Sequence, residues 1–156
     1  MIAHPPCTFL ANSSSKHLYI DCDKANGRDP QRWANMVDGA AFFKTLLEQP
    51  IPQIAVENPI MLGYAKALIG CGKQTQTVQP YHFGDGEQKA TCLWLKNLPK
   101  LTLTYPAWED YRIWRGLPIG AKPDQRVHKL GPSPTRWKER SRTYPGIARA
   151  FAEQWG

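Results

Sequence analysis

The chain is short of cysteine, and the four it has, Cys7, Cys22, Cys71 and Cys92, follow no regular interval. That sparseness excludes a disulfide framework and fits a reducing compartment. No Cys-x-x-Cys knuckle occurs. His4 and Cys7 stand three apart and His17 and Cys22 five apart, which is not a structural zinc spacing, so no metal site is expected. Long apolar runs are also missing: nothing approaches the roughly 20 residues that a membrane-spanning helix needs. The opening Met1-Ile2-Ala3-His4-Pro5 has no basic stretch leading into an apolar core and a cleavage site, so it does not read as a secretory signal. These absences point to a cytoplasmic protein with no membrane partner, and there is no internal repeat.

Acidic residues are scarce in the last third. Residues 1–90 hold 8 Lys/Arg and 8 Asp/Glu, whereas 91–156 hold 12 and 5, so the net charge of +7 lies entirely in the second stretch. Between Arg112 and Arg149 the basic residues are interleaved with Trp114, Trp137 and Tyr144. Cations that meet phosphates and aromatic rings that stack on bases make such a pattern, and so does a solvated basic surface. Arg136, Lys138, Arg140 and Arg142 are the densest run and the candidate DNA contacts, with Lys89 a further candidate outside it.

What is present reads as α/β. At 156 residues the chain suits one compact domain, with a core over 1–99 and a basic, loop-rich segment over 100–156 that ends in a helix. Met1-Ile2-Ala3 reads as a strand stub running into a rigid His4-Pro5-Pro6-Cys7 turn, and the polar stretch from Ala11 to Pro30 as a long mobile loop. From Gln31 to Gln49 apolar residues recur at three and four, the signature of a helix with one buried face, which Pro50 and Pro52 end. Gln53 to Val56 reads as a buried strand halting at Glu57-Asn58-Pro59. Gly63 to Ile69 reads as a helix closed by Gly70, and Thr75 to Pro80 and Thr91 to Leu95 as two more strands. Pro and Gly recur from Lys100 to Pro134, which predicts extended structure, and a last helix is expected from Ile147 to about Trp155.

In such a sheet, functional groups gather at the carboxyl ends of the strands. Cys7 follows the first strand and Glu57 ends the next, so a thiol and a carboxylate are expected on one edge.

Here the sequence resembles a family. Pro5-Pro6-Cys7 looks like the Pro-Cys loop of the cytosine-5 DNA methyltransferases, and Glu57-Asn58-Pro59 is similar to their Glu-Asn-Val motif. Tyr81-His82-Phe83-Gly84, followed by Lys89-Ala90-Thr91-Cys92-Leu93-Trp94, is similar to a later stretch of phage and bacterial members. The match runs to about residue 96, and Arg140 and Arg142 parallel the family's arginine-containing motif only loosely. The resemblance implies a partial Rossmann-like methyltransferase sheet of about four strands with helices on its faces. It further implies Cys7 as nucleophile, Glu57 as acid on a flipped cytosine, and Pro6, Thr8 and Asn58 as positioning residues.

S-adenosylmethionine is the implied cofactor. The family's glycine-rich donor segment precedes the Pro-Cys loop and has no counterpart within these residues, so a donor-binding partner subunit, a further N-terminal half or a homo-oligomer is expected. Thr8 stands where Gln or Ser is usual, and Pro59 where Val is. Two other readings are a non-catalytic DNA-binding phage or prophage protein derived from the family, and a thymidylate-synthase-like pyrimidine modifier, which shares only the Pro-Pro-Cys nucleophile.

Overall fold

The computed structural model describes all 156 residues, as a mixed α/β chain. Its sheet has four strands: β1 (Ile2–Ala3), β2 (Ile54–Pro59), β3 (Gln76–Val78) and β4 (Thr91–Lys96), in the order β1-β2-β4-β3. β1 runs parallel to β2, with Ile2 beside Ala55 and Ala3 beside Val56. β4 runs antiparallel to β2, with Ile54 opposite Lys96 and Pro59 opposite Thr91. The sheet is therefore mixed. β2 also continues through Glu57, Asn58 and Pro59, beyond the Val56 limit expected from sequence. Pairing with β1 ends at Val56, so at Pro59 the strand has β4 on one side only and an open edge on the other, where proline is tolerated.

The chain divides into two compact units. The first comprises residues 1–77 and 91–100 and the second 78–90 and 101–156. The sequence predicts one continuous core segment over 1–99 with 100–156 as the rest; in the fold, residues 78–90 group with 101–156 instead. This redistributes the charge: the first unit holds nine basic and six acidic side chains, the second eleven and seven. Net charges of +3 and +4 replace the apparent 0 and +7, because Asp85 and Glu87 join the basic unit while Lys96 and Lys100 stay with the sheet.

In the first unit, helix α1 (Pro30–Leu47) starts at a strong signal: the Asp29 side chain accepts from Arg32 N at 3.0 Å, and Pro30 occupies the first turn. Its Met36, Ala40 and Phe43 pack with Ile54, Val56, Cys92 and Trp94 of the sheet and with Leu62, Ala65 and Ile69 at helix α2 (Gly63–Ile69). Gly70 closes α2 in the left-handed region at φ 70°. The stretch expected as a mobile loop is instead wound into short 3-10 turns over Asn12–Leu18, Ile20–Cys22 and Lys24–Asn26. Leu10 and Leu18 anchor it in the core, two apolar residues outweighed in the sequence reading by their polar neighbours.

In the second unit, the extended structure expected over 100–134 is interrupted by helices α3 (Trp108–Trp114) and α4 (Arg126–Lys129); α5 (Arg136–Ser141) and α6 (Pro145–Trp155) follow. α3 forms because Trp108, Tyr111 and Trp114 share one face; the Trp108 and Tyr111 rings lie 5.2 Å apart and those of Tyr111 and Trp114 5.8 Å apart. Asp110 caps its start by accepting from Ala107 N.

Alternate residues of the 85–89 loop hold the C-terminal segment. Asp85 accepts from Gly146 N at 2.9 Å, and Glu87 accepts from the Tyr144 hydroxyl at 2.7 Å and from Arg126 Nε at 3.1 Å. Lys89 Nζ donates to Arg140 O at 2.8 Å. A Cβ on Gly146 would stand 2.3 Å from Phe83 O, so only glycine admits this approach. Burial and the Glu87 carboxylate push the Tyr144 phenol far above its ordinary range.

His82 is buried in the same unit, and burial lowers its pKa below the usual imidazole value. Its Nδ1 accepts from Gln79 N at 3.1 Å, which requires that nitrogen to be unprotonated. A folded pKa depressed below the unfolded value of about 6.5 contributes stability that is present above that pH and lost as pH falls through it. Thermal unfolding is therefore expected at a lower temperature at pH 5 than at pH 7.5. His82→Asn should narrow that difference, and an unchanged difference would remove His82 as its source.

Candidate active site

The parallel pairing of β1 and β2 builds the site. With Ala3 beside Val56, one further residue along each strand brings His4 and Glu57 together, and His4 Nδ1 lies 3.0 Å from Glu57 Oε2. The Glu57 side chain is 19% exposed and that of His4 40% exposed, so the pair stands at an accessible edge. Pro5 is buried, Pro6 exposed and Cys7 half-buried. Cys7 O accepts from Leu10 N at 3.0 Å and Ala11 N at 2.9 Å, which turns the chain immediately after the thiol. Ser14 Oγ donates to Thr8 O at 2.6 Å and ties the next residue, itself exposed, into the same turn. Cys7 and Thr8 therefore lie in the turn that follows β1, four and five residues past its last residue, while Glu57 is within β2.

Asn58 is placed differently. Strand alternation sends its side chain to the face of β2 opposite Glu57, where it is fully buried in line with Ile54 and Val56. Its Nδ2 donates to Pro59 O at 2.8 Å, and its Oδ1 is buried with no hydrogen-bond partner.

The thiols separate into two groups. Burial raises the pKa of Cys92 and of Cys71, which keeps both protonated and poorly nucleophilic. Cys7 is half-buried, while Cys22 is exposed, with its Sγ 3.2 Å from His17 Nδ1. No group of three His, Cys, Asp or Glu side chains gathers where a metal ion could be held.

The basic candidates lie in the second unit. Lys138 and Arg142 are exposed and Arg136 and Arg140 half-buried, and Trp137 on α5 is 71% exposed. Lys89 is engaged by the chain itself: besides Arg140 O its Nζ reaches Arg142 O at 3.5 Å, and it sits 5.7 Å over the Tyr144 ring. It therefore positions the backbone that carries two of the candidate arginines. Arg126, by contrast, is neutralised by Glu87 and Glu139.

Sequence reasoning missed His4 as the partner of Glu57. The signal was its place directly after the β1 stub, which fixes it opposite Glu57 only once the parallel register is known.

A methyl-donor pocket of the Rossmann kind needs a strand that runs into a glycine turn, where the backbone can approach the ligand closely. The four strands lead instead into His4-Pro5-Pro6, Ile60-Met61-Leu62, Gln79-Pro80 and Asn97-Leu98-Pro99. Gly70 and Gly84, both at positive φ, close helical segments. The residues present do not fit S-adenosylmethionine. The chain matches no family model, no curated protein and no solved structure. No helix is long and apolar enough to cross a membrane.

Proposed function

We propose that this chain carries the base-activating half of a cytosine-5 methyltransferase-type reaction on DNA. On this reading the sheet is a partial Rossmann-like methyltransferase sheet, and the methyl donor is held by a partner subunit or a further segment. The observation that carries the reading is the parallel β1–β2 register, which seats Glu57 against His4 three residues before Cys7.

The Cys7 thiolate adds to carbon 6 of a cytosine, the carbon 5–6 double bond opens, and electron density moves onto carbon 5 and toward ring nitrogen 3. Glu57 shares a proton with nitrogen 3 and stabilises that charge, while His4 holds the carboxylate in place from its other side. In duplex DNA the base must first leave the stack. Without a donor, carbon 5 takes a proton from water; loss of the original hydrogen and expulsion of the thiolate then restore cytosine. Donor-free exchange of the carbon-5 hydrogen is therefore the activity to assay, as tritium released from DNA labelled at that position. No release above the protein-free rate would overturn the reading.

The exposed Lys138 and Arg142, with the half-buried Arg136 and Arg140 beside them, supply the phosphate contacts, and Trp137 is a stacking surface. Binding to DNA should weaken steeply with salt. Replacing Arg136, Lys138, Arg140 and Arg142 with Ala should flatten the slope of log K against log salt by about 0.9 for each phosphate contact removed. An unchanged slope would make the cluster a solvated face. The second reading, a DNA-binding protein without catalysis, is favoured by the misfit to the donor and predicts the same salt slope with no hydrogen exchange.

A further inference from the structure

The first unit has an apolar groove for which the cytosine chemistry has no use. Its banks are two helices. Trp33 and Val37, one turn apart, line the α1 side, and Tyr64, Ala67 and Leu68 line the α2 side, around a cavity of about 400 Å³. Below them the seam between the helices is already closed by Met36, Ala40, Ala65 and Ile69. Val37, Tyr64 and Leu68 are nonetheless 45%, 43% and 50% exposed, so large apolar side chains meet water on both banks at once. Scattered exposed apolar residues are ordinary, but a contiguous lined groove marks a binding surface.

One end of the groove is cationic. The Arg28 guanidinium lies 4.1 Å over the Trp33 ring, which is itself 5.0 Å from the Tyr64 ring. The Tyr19 and Tyr64 hydroxyls are 3.3 Å apart. That hydrogen bond is the chief cause of a lowered pKa at Tyr64, and the charges of Lys24 and Arg28 lower it further. The neighbouring carboxylates Asp23 and Asp29 are turned to backbone, accepting from Ala25 N at 2.9 Å and Arg32 N at 3.0 Å. Two positive charges therefore act at the end of the groove where the aromatic rings lie.

We propose that this groove docks a short amphipathic helix of a partner protein, its apolar side chains entering between the two banks and a carboxylate at one end meeting Arg28 and Lys24. Three features select this occupant. Lining residues one turn apart on each bank match the i, i+3 and i+4 spacing by which helices enter grooves. Val37, Ala67 and Leu68 offer aliphatic surface with no polar group for a base edge or phosphate, so a nucleic acid fits only the aromatic end. The cations at that end complement an acidic partner and disfavour a basic one.

The test uses the full chain and two synthetic helical peptides with the same leucine face at i, i+3, i+4 and i+7, one flanked by glutamates and the other by lysines. Fluorescence anisotropy of the labelled peptides should show saturable binding of the glutamate peptide, at least about tenfold tighter than the lysine peptide. Leu68→Glu on one bank and Val37→Glu on the other should each remove binding with an unchanged circular dichroism spectrum, since both positions are exposed. Combining Lys24→Glu with Arg28→Glu should reverse the preference. Three results would overturn the proposal: no binding of either peptide, equal binding of both, or binding that survives Leu68→Glu and Val37→Glu. Saturable binding of a single-stranded oligonucleotide that is lost in Leu68→Glu would assign the groove to nucleic acid. Self-association lost in the same variant would assign it to a second copy of the chain.

Discussion

Cys7→Ala is expected to abolish exchange of the carbon-5 hydrogen of cytosine, and Glu57→Gln to slow it by about 10²–10⁴-fold. The two losses differ in kind. Without the Cys7 sulfur no bond to carbon 6 forms, and Cys71 and Cys92, their pKa values raised by burial, offer no replacement. Glutamine at 57 keeps the shape of the side chain and can still contact His4, but it cannot share a proton with ring nitrogen 3. Both variants should keep the fold, because Cys7 and Glu57 are only half-buried and lie outside the core formed by α1, α2 and the sheet. Tritium release measured beside circular dichroism separates the outcomes. Full activity in Cys7→Ala would remove the thiol from the chemistry, and a Glu57→Gln variant as fast as the parent would reduce Glu57 to a structural partner of His4.

The largest effect on stability is expected at Phe43. Its ring has no exposed surface and meets Trp94 edge-on, with centroids 5.2 Å apart and planes at 82°. This contact joins α1 to β4, so Phe43→Ala removes a large buried ring and leaves a cavity between helix and sheet. The cost should be about 3–5 kcal/mol, a large share of the roughly 5–15 kcal/mol that a folded domain has in total. Urea unfolding followed by Trp fluorescence measures it, and a loss below about 1 kcal/mol would mean that the site collapses or that Phe43 is not central to the core. Phe42, its neighbour, is 50% exposed and should tolerate the same change with little effect.

The elements that were legible in the sequence are those with strong local signals. Helix α1 announces itself through a 3.6-residue apolar period and terminating prolines, and the structure places it at Pro30–Leu47 against the expected Gln31 to Gln49; the Asp29 cap and first-turn Pro30 fall in the stretch that reads as the end of the preceding loop. α2, with glycine at each end, matches the expected Gly63–Ile69 span. Other features depended on partners distant in sequence. β2 extends through Pro59 because β4 pairs with it residue for residue as far as Thr91, and nothing local to Glu57-Asn58-Pro59 encodes that pairing. The 12–26 segment looks like a loop by composition, yet Leu10 and Leu18 draw it into the core. Helix α3 was hidden because prolines and glycines flank it closely, while the aromatic face that stabilises it spans a single turn and a half.

The site was legible in the same uneven way. The order of strand ends raises the expectation that Cys7 and Glu57 share an edge, whereas the contact that the fold does make there, His4 with Glu57, needed the parallel register. The basic stretch was misleading as a global asymmetry, since charge counted by compact unit is nearly even. Lys89 could not be distinguished by sequence from a phosphate contact, and its engagement with Arg140 O appears only in the fold.

The most direct test of the proposed chemistry is where the sulfur bond forms. A DNA strand carrying 2-pyrimidinone at the target position presents an electrophilic carbon 6 and needs no methyl donor. Incubation with the intact chain, followed by digestion and mass spectrometry of the adducts, should place the base on the peptide containing Cys7, with none formed by Cys7→Ala. An adduct on Cys22, the exposed thiol beside His17, or no adduct with DNA bound, would contradict the account.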